Sequence, residues 1–383
     1  MSFQLFCEEC GTEHDNDSYR LFCDKCHGLI EIRYESVPSE MFLGKSPKRR
    51  GMKRFIARLP IKNQENLISM GEGDTPIIPL PRMGEKLGLS NVHAKLEYFN
   101  PTGSFKDRGN MVQVSVLQDL GVRVVTDATG GNAGHSFSAY CARAGIKFHG
   151  FADESTRGHR KLHAIGLHGT ELHWVTGGKK GRAEGARKFA NDNKILHMDY
   201  GKNIYFIEGL KTLAYEIAEQ MDPLPDHIIV PIGNGSIYQG MYKGFSEMVE
   251  AKVIDTIPRL HGAQTEETQP FVAAFENNKW SPKSDHTLSL ANGIGVNHPP
   301  RLKSLVEIAR DTGGRVIAVS ETKILSWQKE LASLEGLIVE PTSAVVMGAA
   351  EKLIDQGFIK AADVVLFPLT GFGIKEAIPG ANI

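Results

Sequence analysis

From about residue 90 onward, short apolar runs alternate with longer amphipathic ones, and this alternation constrains the fold more than any other feature of the chain. VRVVTDA (from Val122), IKFHGF (from Ile146), ELHWV (from Glu171), ILHMD (from Ile195), HIIVPIG (from His227), RVIAVS (from Arg315) and DVVLFPLTG (from Asp363) have strand length and strand composition. VHAKLEYF, from Val92, reads as a further strand. Between the strands, SFKDRGNMVQVSVLQDLG, GNAGHSFSAYCARAG, KKGRAEGARKFANDN and TSAVVMGAAEKLIDQ read as helices, as do residues around Arg157 to Leu167 and from about Ile207 to Met221. Strand–helix alternation of this kind means parallel sheets covered by helices, an α/β fold. At 383 residues the chain exceeds one core and implies two or three domains.

The N-terminus follows a different logic. Cys7, Cys10, Cys23 and Cys26 are spaced C-x2-C-x12-C-x2-C, and they account for four of the five cysteines. Each C-x2-C pair presents two thiolates from one tight turn, and two such turns make a closed tetrahedral site. Zinc is the expected ion, with iron chemically open to the same ligands. A site with four protein ligands leaves no position for substrate, so it is a structural staple for a small ribbon. Cys141, in the alanine-rich run AYCARAG, is expected to be an inert buried thiol. Gly44 to Lys53 is basic and irregular and reads as a linker.

Composition excludes several classes. The formal net charge is -1, which gives no nucleic-acid or membrane-surface footprint. The ribbon itself carries Glu8, Glu9, Glu13, Asp15, Asp17 and Asp24, so a nucleic-acid-binding module is disfavoured. No run of 18 apolar residues exists, and MSFQLFCEEC lacks the basic start and apolar core of a secretion signal, so a cytoplasmic protein with no membrane partner is expected. Of the 14 histidines, His159, His163, His168 and His173 cluster at irregular spacing and read as surface decoration.

In parallel sheets, ligands bind beyond the carboxyl ends of the strands. Four glycine-bearing turns lie there. NPTGSFKDRG, Asn100 to Gly109, puts Lys106 at a helix start, where free N–H groups and the positive helix end disfavour an ammonium ion. An ion pair with Asp107 is the ordinary alternative and, taken alone, the better one. DATGGNAGHS crowds amides at Thr129, Gly130, Gly131 and Asn132, which suits a carboxylate; a plain capping turn is an equal contender. VPIGNGSIYQG offers Gly233, Asn234, Gly235 and Ser236 as a phosphate cradle, with neither the Gly-Lys-Ser/Thr of a nucleotide loop nor G-x-G-x-x-G. VVLFPLTGFG ends a strand at Thr370, whose hydroxyl would meet a ring nitrogen or simply make a turn. Together these supply a lysine, a carboxylate nest, a phosphate nest and a hydroxyl, the parts needed to hold pyridoxal 5'-phosphate.

With GEGDTPIIPL upstream and EGLKTLAYEIAEQ and EPTSAVVMGAA downstream, NPTGSFKDRG resembles the threonine synthases of the fold-type-II pyridoxal-phosphate superfamily, from about residue 68 onward. The ribbon is similar to that of archaeal-type members. The resemblance implies a zinc ribbon over 1–35, a large cofactor-binding domain over 36–105 and 200–383, and a small α/β domain over 106–199, with parallel or mixed sheets. It implies that Lys106 bonds the cofactor and moves substrate protons. Asn132 would touch the cofactor's 3-hydroxyl, Gly233 to Ser236 would hold its phosphate, and Thr370 would meet the pyridine nitrogen. Thr129, Gly130, Gly131, Ala133 and His135 would face the amino-acid substrate. A homodimer is implied as well.

The implied reaction is conversion of O-phosphohomoserine to threonine and phosphate. The chain departs from the pattern where S-T-G-N-T-S is replaced by Thr129-Gly130-Gly131-Asn132-Ala133-Gly134, which removes hydroxyls at Gly130, Ala133 and Gly134. GNGSI in place of G-N-x-G-N, ANGIGVNHPPR, and Phe372 where histidine is frequent are further departures. These point to the alternative of β-replacement or β-elimination on a smaller amino acid, as in cysteate synthase or a serine, threonine or diaminopropionate ammonia-lyase.

Overall fold

The structure is a computed structural model, and it describes residues 3–34, 42, 50–278 and 289–376. Contacts divide the chain into two units, Met1–Gly73 with Lys106–Thr212, and Asp74–Phe105 with Leu213–Ile383. The expected division at 199/200 falls inside the first unit, which continues through Thr212.

The first unit carries two sheets. Strands Glu13–His14, Phe3–Cys7 and Ile30–Tyr34 form an antiparallel sheet in that order, with Leu5 opposite Ile32 and Cys7 opposite Ile30. Alternation along Phe3–Cys7 buries Phe3, Leu5 and Cys7 and turns Gln4 to solvent. Those buried residues share one cluster with Met111, Val114, Ile204 and Tyr205 from helices Lys106–Asp119 and Ile204–Leu210. The cysteine ribbon therefore has no core of its own; it rests on the α/β body of its unit. Tyr34 reinforces the seam, donating its hydroxyl to Glu208 while the Lys211 ammonium lies 3.8 Å over its ring.

The second sheet of this unit is parallel, in the order Glu171–Val175, Lys147–Asp153, Val124–Ala128, Leu196–His197. Helices Asn132–Ala144, Arg160–Leu167 and Gly178–Asn193 follow their strands, as the alternation predicts. Cys141 is buried, and burial holds its thiol well above its ordinary value, which leaves it inert at neutral pH.

The second unit is built on one mixed sheet, ordered Val316–Val319, Arg259–Thr265, His227–Pro231, Val364–Pro368, Asn91–Lys95, Ile77–Pro79. Only the edge strand Ile77–Pro79 runs antiparallel. Helices Ser236–Glu250, Glu321–Glu335 and Pro341–Asp355 accompany it, and Leu331, Val345, Met347, Ile229, Val365 and Phe367 lie in its main core.

Several expectations are corrected. The strand expected over VHAKLEYF stops at Lys95, and Glu97–Phe99 is a 3-10 turn. The helix expected from Ile207 to Met221 is two, Ile204–Leu210 and Thr212–Gln220, because Thr212 turns its hydroxyl back onto the Gly209 carbonyl at 2.7 Å. ILHMD pairs only over Leu196–His197. Of the expected linker, 44–49 lie outside the described residues, and Gly51–Arg58 form a 3-10 helix with Met52, Phe55 and Ile56 buried. Among the four clustered histidines, His159 and His163 are exposed as expected, but His168 and His173 are not mere decoration. His168 Nδ1 lies 2.9 Å from the Ser138 hydroxyl, and His173 Nε2 lies 3.1 Å from His149 Nδ1.

Candidate active site residues on the two units

The second unit brings two of the candidate turns side by side. His227–Pro231 and Val364–Pro368 are adjacent parallel strands, so the loop after the first and Thr370 after the second emerge at the same sheet end. The loop opens helix Ser236–Glu250, with Gly235 at its N-cap in a left-handed conformation at φ 82. A Cβ at Gly233 would stand 2.8 Å from the Gly293 carbonyl oxygen, so the ANGIG segment closes directly on the loop and a side chain is excluded there. What remains is a turn of backbone amides at the positive end of a helix, the geometry that binds a phosphate. Gly233, Gly235 and Ser236 are buried and Asn234 is half-buried.

Thr370 is 2% exposed and its hydroxyl lies 3.0 Å from the Ser343 hydroxyl. Ser343 also accepts the Gly371 N–H at 3.0 Å. Sequence reading did not single out Ser343; it lies within the EPTSA block, in the first turn of helix Pro341–Asp355. Phe105, which precedes Lys106 in the chain, donates its N–H to the Thr370 carbonyl at 3.1 Å. Ser104 bridges to Gly371. The NPTGSF half of the lysine motif is thus fastened to the Thr370 turn by backbone hydrogen bonds.

The first unit carries Lys106, Thr129, Asn132 and His135. Lys106 begins its helix, and its ammonium lies 5.7 Å from the Tyr200 ring centroid and 5.4 Å from that of Phe206. Gly109 explains this setting: a Cβ there would stand 2.3 Å from the Phe206 ring, so glycine lets that ring lie against the helix. Asp107, the alternative partner considered for Lys106, is fully buried and accepts the Ser136 hydroxyl. Tyr200 and Phe206 carry no motif in the sequence and were not anticipated.

The strand Val124–Ala128 leads through Thr129–Gly131 into the helix that starts at Asn132. Thr129 is 3% exposed, its N–H bonds the Phe151 carbonyl at 2.8 Å, and its hydroxyl has no hydrogen-bond partner. The His135 ring stacks on His168 at 5.5 Å. Arg182, on helix Gly178–Asn193, donates through Nη1 to the Thr129 carbonyl; nothing in the sequence had marked it.

The ribbon gathers Cys7, Cys10, Cys23 and Cys26 with every sulfur within 4.8 Å of the others. The Cys7–Cys26 and Cys10–Cys26 sulfurs are 3.4 Å apart and Cys10–Cys23 3.8 Å. Lys25 and Gly28 N–H groups point at the sulfurs of Cys23 and Cys26, at 3.3 and 3.4 Å.

Comparison with known proteins identifies the family. The family model described as "Pyridoxal-phosphate dependent enzyme" matches residues 68–371. A threonine synthase of Methanocaldococcus jannaschii is 32% identical over 97% of this chain and 92% of its own length. One from Methanosarcina acetivorans is 31% identical over 98% and 92%. Among solved structures, a fungal L-serine ammonia-lyase from Rhizomucor miehei superposes with a TM-score of 0.68 at 19% identity, covering 78% of this chain and 93% of that one. The last likeness concerns the fold alone.

Proposed function

This chain belongs to the pyridoxal-phosphate dependent enzyme family, and on that premise we propose that it is a lyase of threonine-synthase type, converting O-phosphohomoserine to threonine and phosphate. The observation that carries the reading is the near-full-length similarity to threonine synthases, at 31% and 32% identity. The residues present fit the cofactor. A glycine-walled turn of amides at a helix start suits its phosphate, and the buried Thr370 hydroxyl, backed by Ser343, suits its ring nitrogen.

In this reading Gly233, Asn234, Gly235 and Ser236 hold the phosphate through backbone N–H groups. Thr370 is a neutral partner for the ring nitrogen, and Asn132 donates to the 3-hydroxyl. When bound, pyridoxal 5'-phosphate supplies an electron sink for the substrate's α-carbon. Lys106 would hold the cofactor and would carry protons at the substrate carbons. Tyr200 and Phe206 flank its amine and keep water from that side. Gly130, Gly131 and Ala133 present amides to the substrate α-carboxylate, with the Thr129 hydroxyl and His135 beside them.

The four ribbon thiolates hold a structural zinc. Tetrahedral Zn–S arms of about 2.3 Å place sulfurs about 3.8 Å apart, and the separations of 3.4 to 3.8 Å support this. We further propose a cytoplasmic homodimer acting on a small amino acid. Among the described residues no helix is long and apolar enough to cross a membrane.

A second reading, elimination or replacement on a smaller amino acid, is favoured by the missing hydroxyls at Gly130, Ala133 and Gly134. The test is direct. Purified protein with O-phosphohomoserine should release phosphate and threonine in equal amounts. Release of neither, with turnover of serine, threonine, phosphoserine or diaminopropionate instead, replaces the first reading by the second.

A further inference from the structure

The two glycines that stand where threonine synthases carry hydroxyls are each filled from elsewhere in this chain. A Cβ at Gly134 would lie 1.6 Å from Thr129 Oγ1, so glycine there admits the threonine hydroxyl. A Cβ at Gly130 would lie 2.2 Å from Arg182 Nη1, so glycine there admits the guanidinium. The donors lost from the main-chain turn are thus replaced by a hydroxyl and a cation. Only one of those replacements carries charge.

The surroundings of Arg182 are those of an anion site. Nη1 donates to the Thr129 carbonyl, while the buried Nε has no hydrogen-bond partner. The Thr129 hydroxyl, which lies against Gly134, is also buried without a hydrogen-bond partner. Lys179, three residues earlier on helix Gly178–Asn193, is close enough for the two cations to oppose each other, and burial and that repulsion both lower the Lys179 amine. Burial lowers the Arg182 guanidinium too. Asp153 and Asp127 lie near enough for their charge to favour the guanidinium, and Arg182 in turn lowers Asp153, while both carboxylates take their hydrogen bonds from other donors. Asp153 accepts from the Ser155 N–H and hydroxyl and from the Gly178 N–H, and Asp127 accepts the Tyr200 N–H and faces His197 at 3.4 Å. The unpartnered Nε of a largely buried guanidinium lying against the Gly130 turn is satisfied by one anion placed against it.

We propose that Arg182 recognises a second anionic group on the substrate, a phosphate ester or other side-chain anion distinct from the α-carboxylate. This deepens the lyase reading and rests on it for the presence of an amino-acid substrate. The glycine-for-hydroxyl departures then do not signal a small uncharged substrate. They mark a site in which an arginine has taken over the role of hydroxyl donors.

The experiment is a spectral titration of the holoenzyme against matched amino acids, with O-phosphohomoserine and L-phosphoserine as the anionic set and L-serine and L-threonine as the neutral set. All share the α-carboxylate, so a difference between sets isolates the side-chain anion. Arg182→Gln should weaken the anionic set about 10–100-fold, as expected for losing a charged hydrogen-bond donor, and leave the neutral set within about 3-fold. Arg182→Lys should recover part of the loss. Gly130→Ser, which pushes a Cβ into the guanidinium, should reproduce the same anion-selective loss. Retention of the visible cofactor band and of the melting temperature shows that the variants fold. Equal loss for both sets, or no loss for either, overturns the proposal. The outcomes separate from those of the main reading. A wild type that makes no threonine, yet loses anion affinity on Arg182→Gln, refutes threonine synthesis and keeps Arg182. A wild type that makes threonine, with KM unchanged in Arg182→Gln, does the reverse.

Discussion

The two units carry candidate residues of unlike kinds. The second unit offers backbone and neutral groups: the amides of Gly233 to Ser236, and the paired hydroxyls of Thr370 and Ser343. The first offers reactive and charged side chains: Lys106 against two aromatic rings, and Arg182 on the Thr129 carbonyl. An amide cradle is fixed when the sheet folds and costs no side-chain ordering when a phosphate arrives. Side chains hold chemistry and selectivity, and can be exchanged without disturbing a sheet. On the proposed reading the labour is divided: residues of the second unit would retain the cofactor, and residues of the first would set the chemistry and the choice of substrate.

The hardest test of that division is Lys106→Ala. Turnover should fall by at least about 10³-fold, and borohydride should no longer trap the cofactor on the protein, while cofactor still binds reversibly through the second unit. Loss of cofactor binding altogether, read by equilibrium dialysis, would break the comparison.

Next in size is removal of the ion proposed for the ribbon. Because Phe3, Leu5, Ile30 and Ile32 share a core with helices of the first unit, chelation or Cys23→Ser should lower the melting temperature by about 10 °C or more. Hydrogen exchange should rise first in Phe3–Cys7 and Ile30–Tyr34. Unchanged melting on full chelation would make the ribbon an ornament.

Acid should act on the second unit through a buried histidine pair. The Arg315 N–H donates to His261 Nδ1 at 3.0 Å, so His261 Nε2 carries the proton and donates to His227 Nδ1 at 2.8 Å. His227 Nε2 then donates to Asp363 at 3.1 Å. Burial, then repulsion from His227, holds His261 down at about 3, and burial lowers His227 as well. Between about 6.5 and 3 the unfolded chain binds the proton and the folded chain does not. Stability is therefore full above the ordinary histidine value and is lost as pH falls toward 3, by up to about 1.4 kcal/mol per pH unit for His261. Denaturant melts of wild type and His261→Gln should show the shallower pH slope in the variant. Equal slopes would exclude the pair as the acid-sensitive element.

The smallest effect is expected from Ser343→Ala. It removes one hydrogen bond to Thr370 and one from Gly371 N–H, about 1 kcal/mol each. Cofactor affinity should weaken by several-fold with the preference between anionic and neutral substrates intact. A changed preference would show that the units are not independent in their roles.

Much of the fold was legible. Runs such as HIIVP and VVLFP are buried on both faces, so their composition alone marks them as central strands. The strand Arg259–Thr265 escaped notice because RLHGAQT looks polar, yet all but Arg259 are buried. Its polar atoms are satisfied individually: His261 by its partner histidine and Arg315, Gln264 by the Ile232 carbonyl and the Phe271 and Val272 amides, and Thr265 by Glu321. Apart from the Phe271 and Val272 amides, those partners lie far away in the chain, and no local pattern announces them. The same holds for Ser343, Tyr200 and Arg182.

Local chemistry and spacing settled what this chain must contain: alternating strands and helices, four thiolates in two turns, and glycine-led turns around one lysine. Those properties belong to a few adjacent residues, and adjacency is what a sequence records. Which polar groups meet was decided only by tertiary packing. A glycine at position 130 reads as a missing hydroxyl in one dimension, and in three as the opening through which Arg182 reaches Thr129.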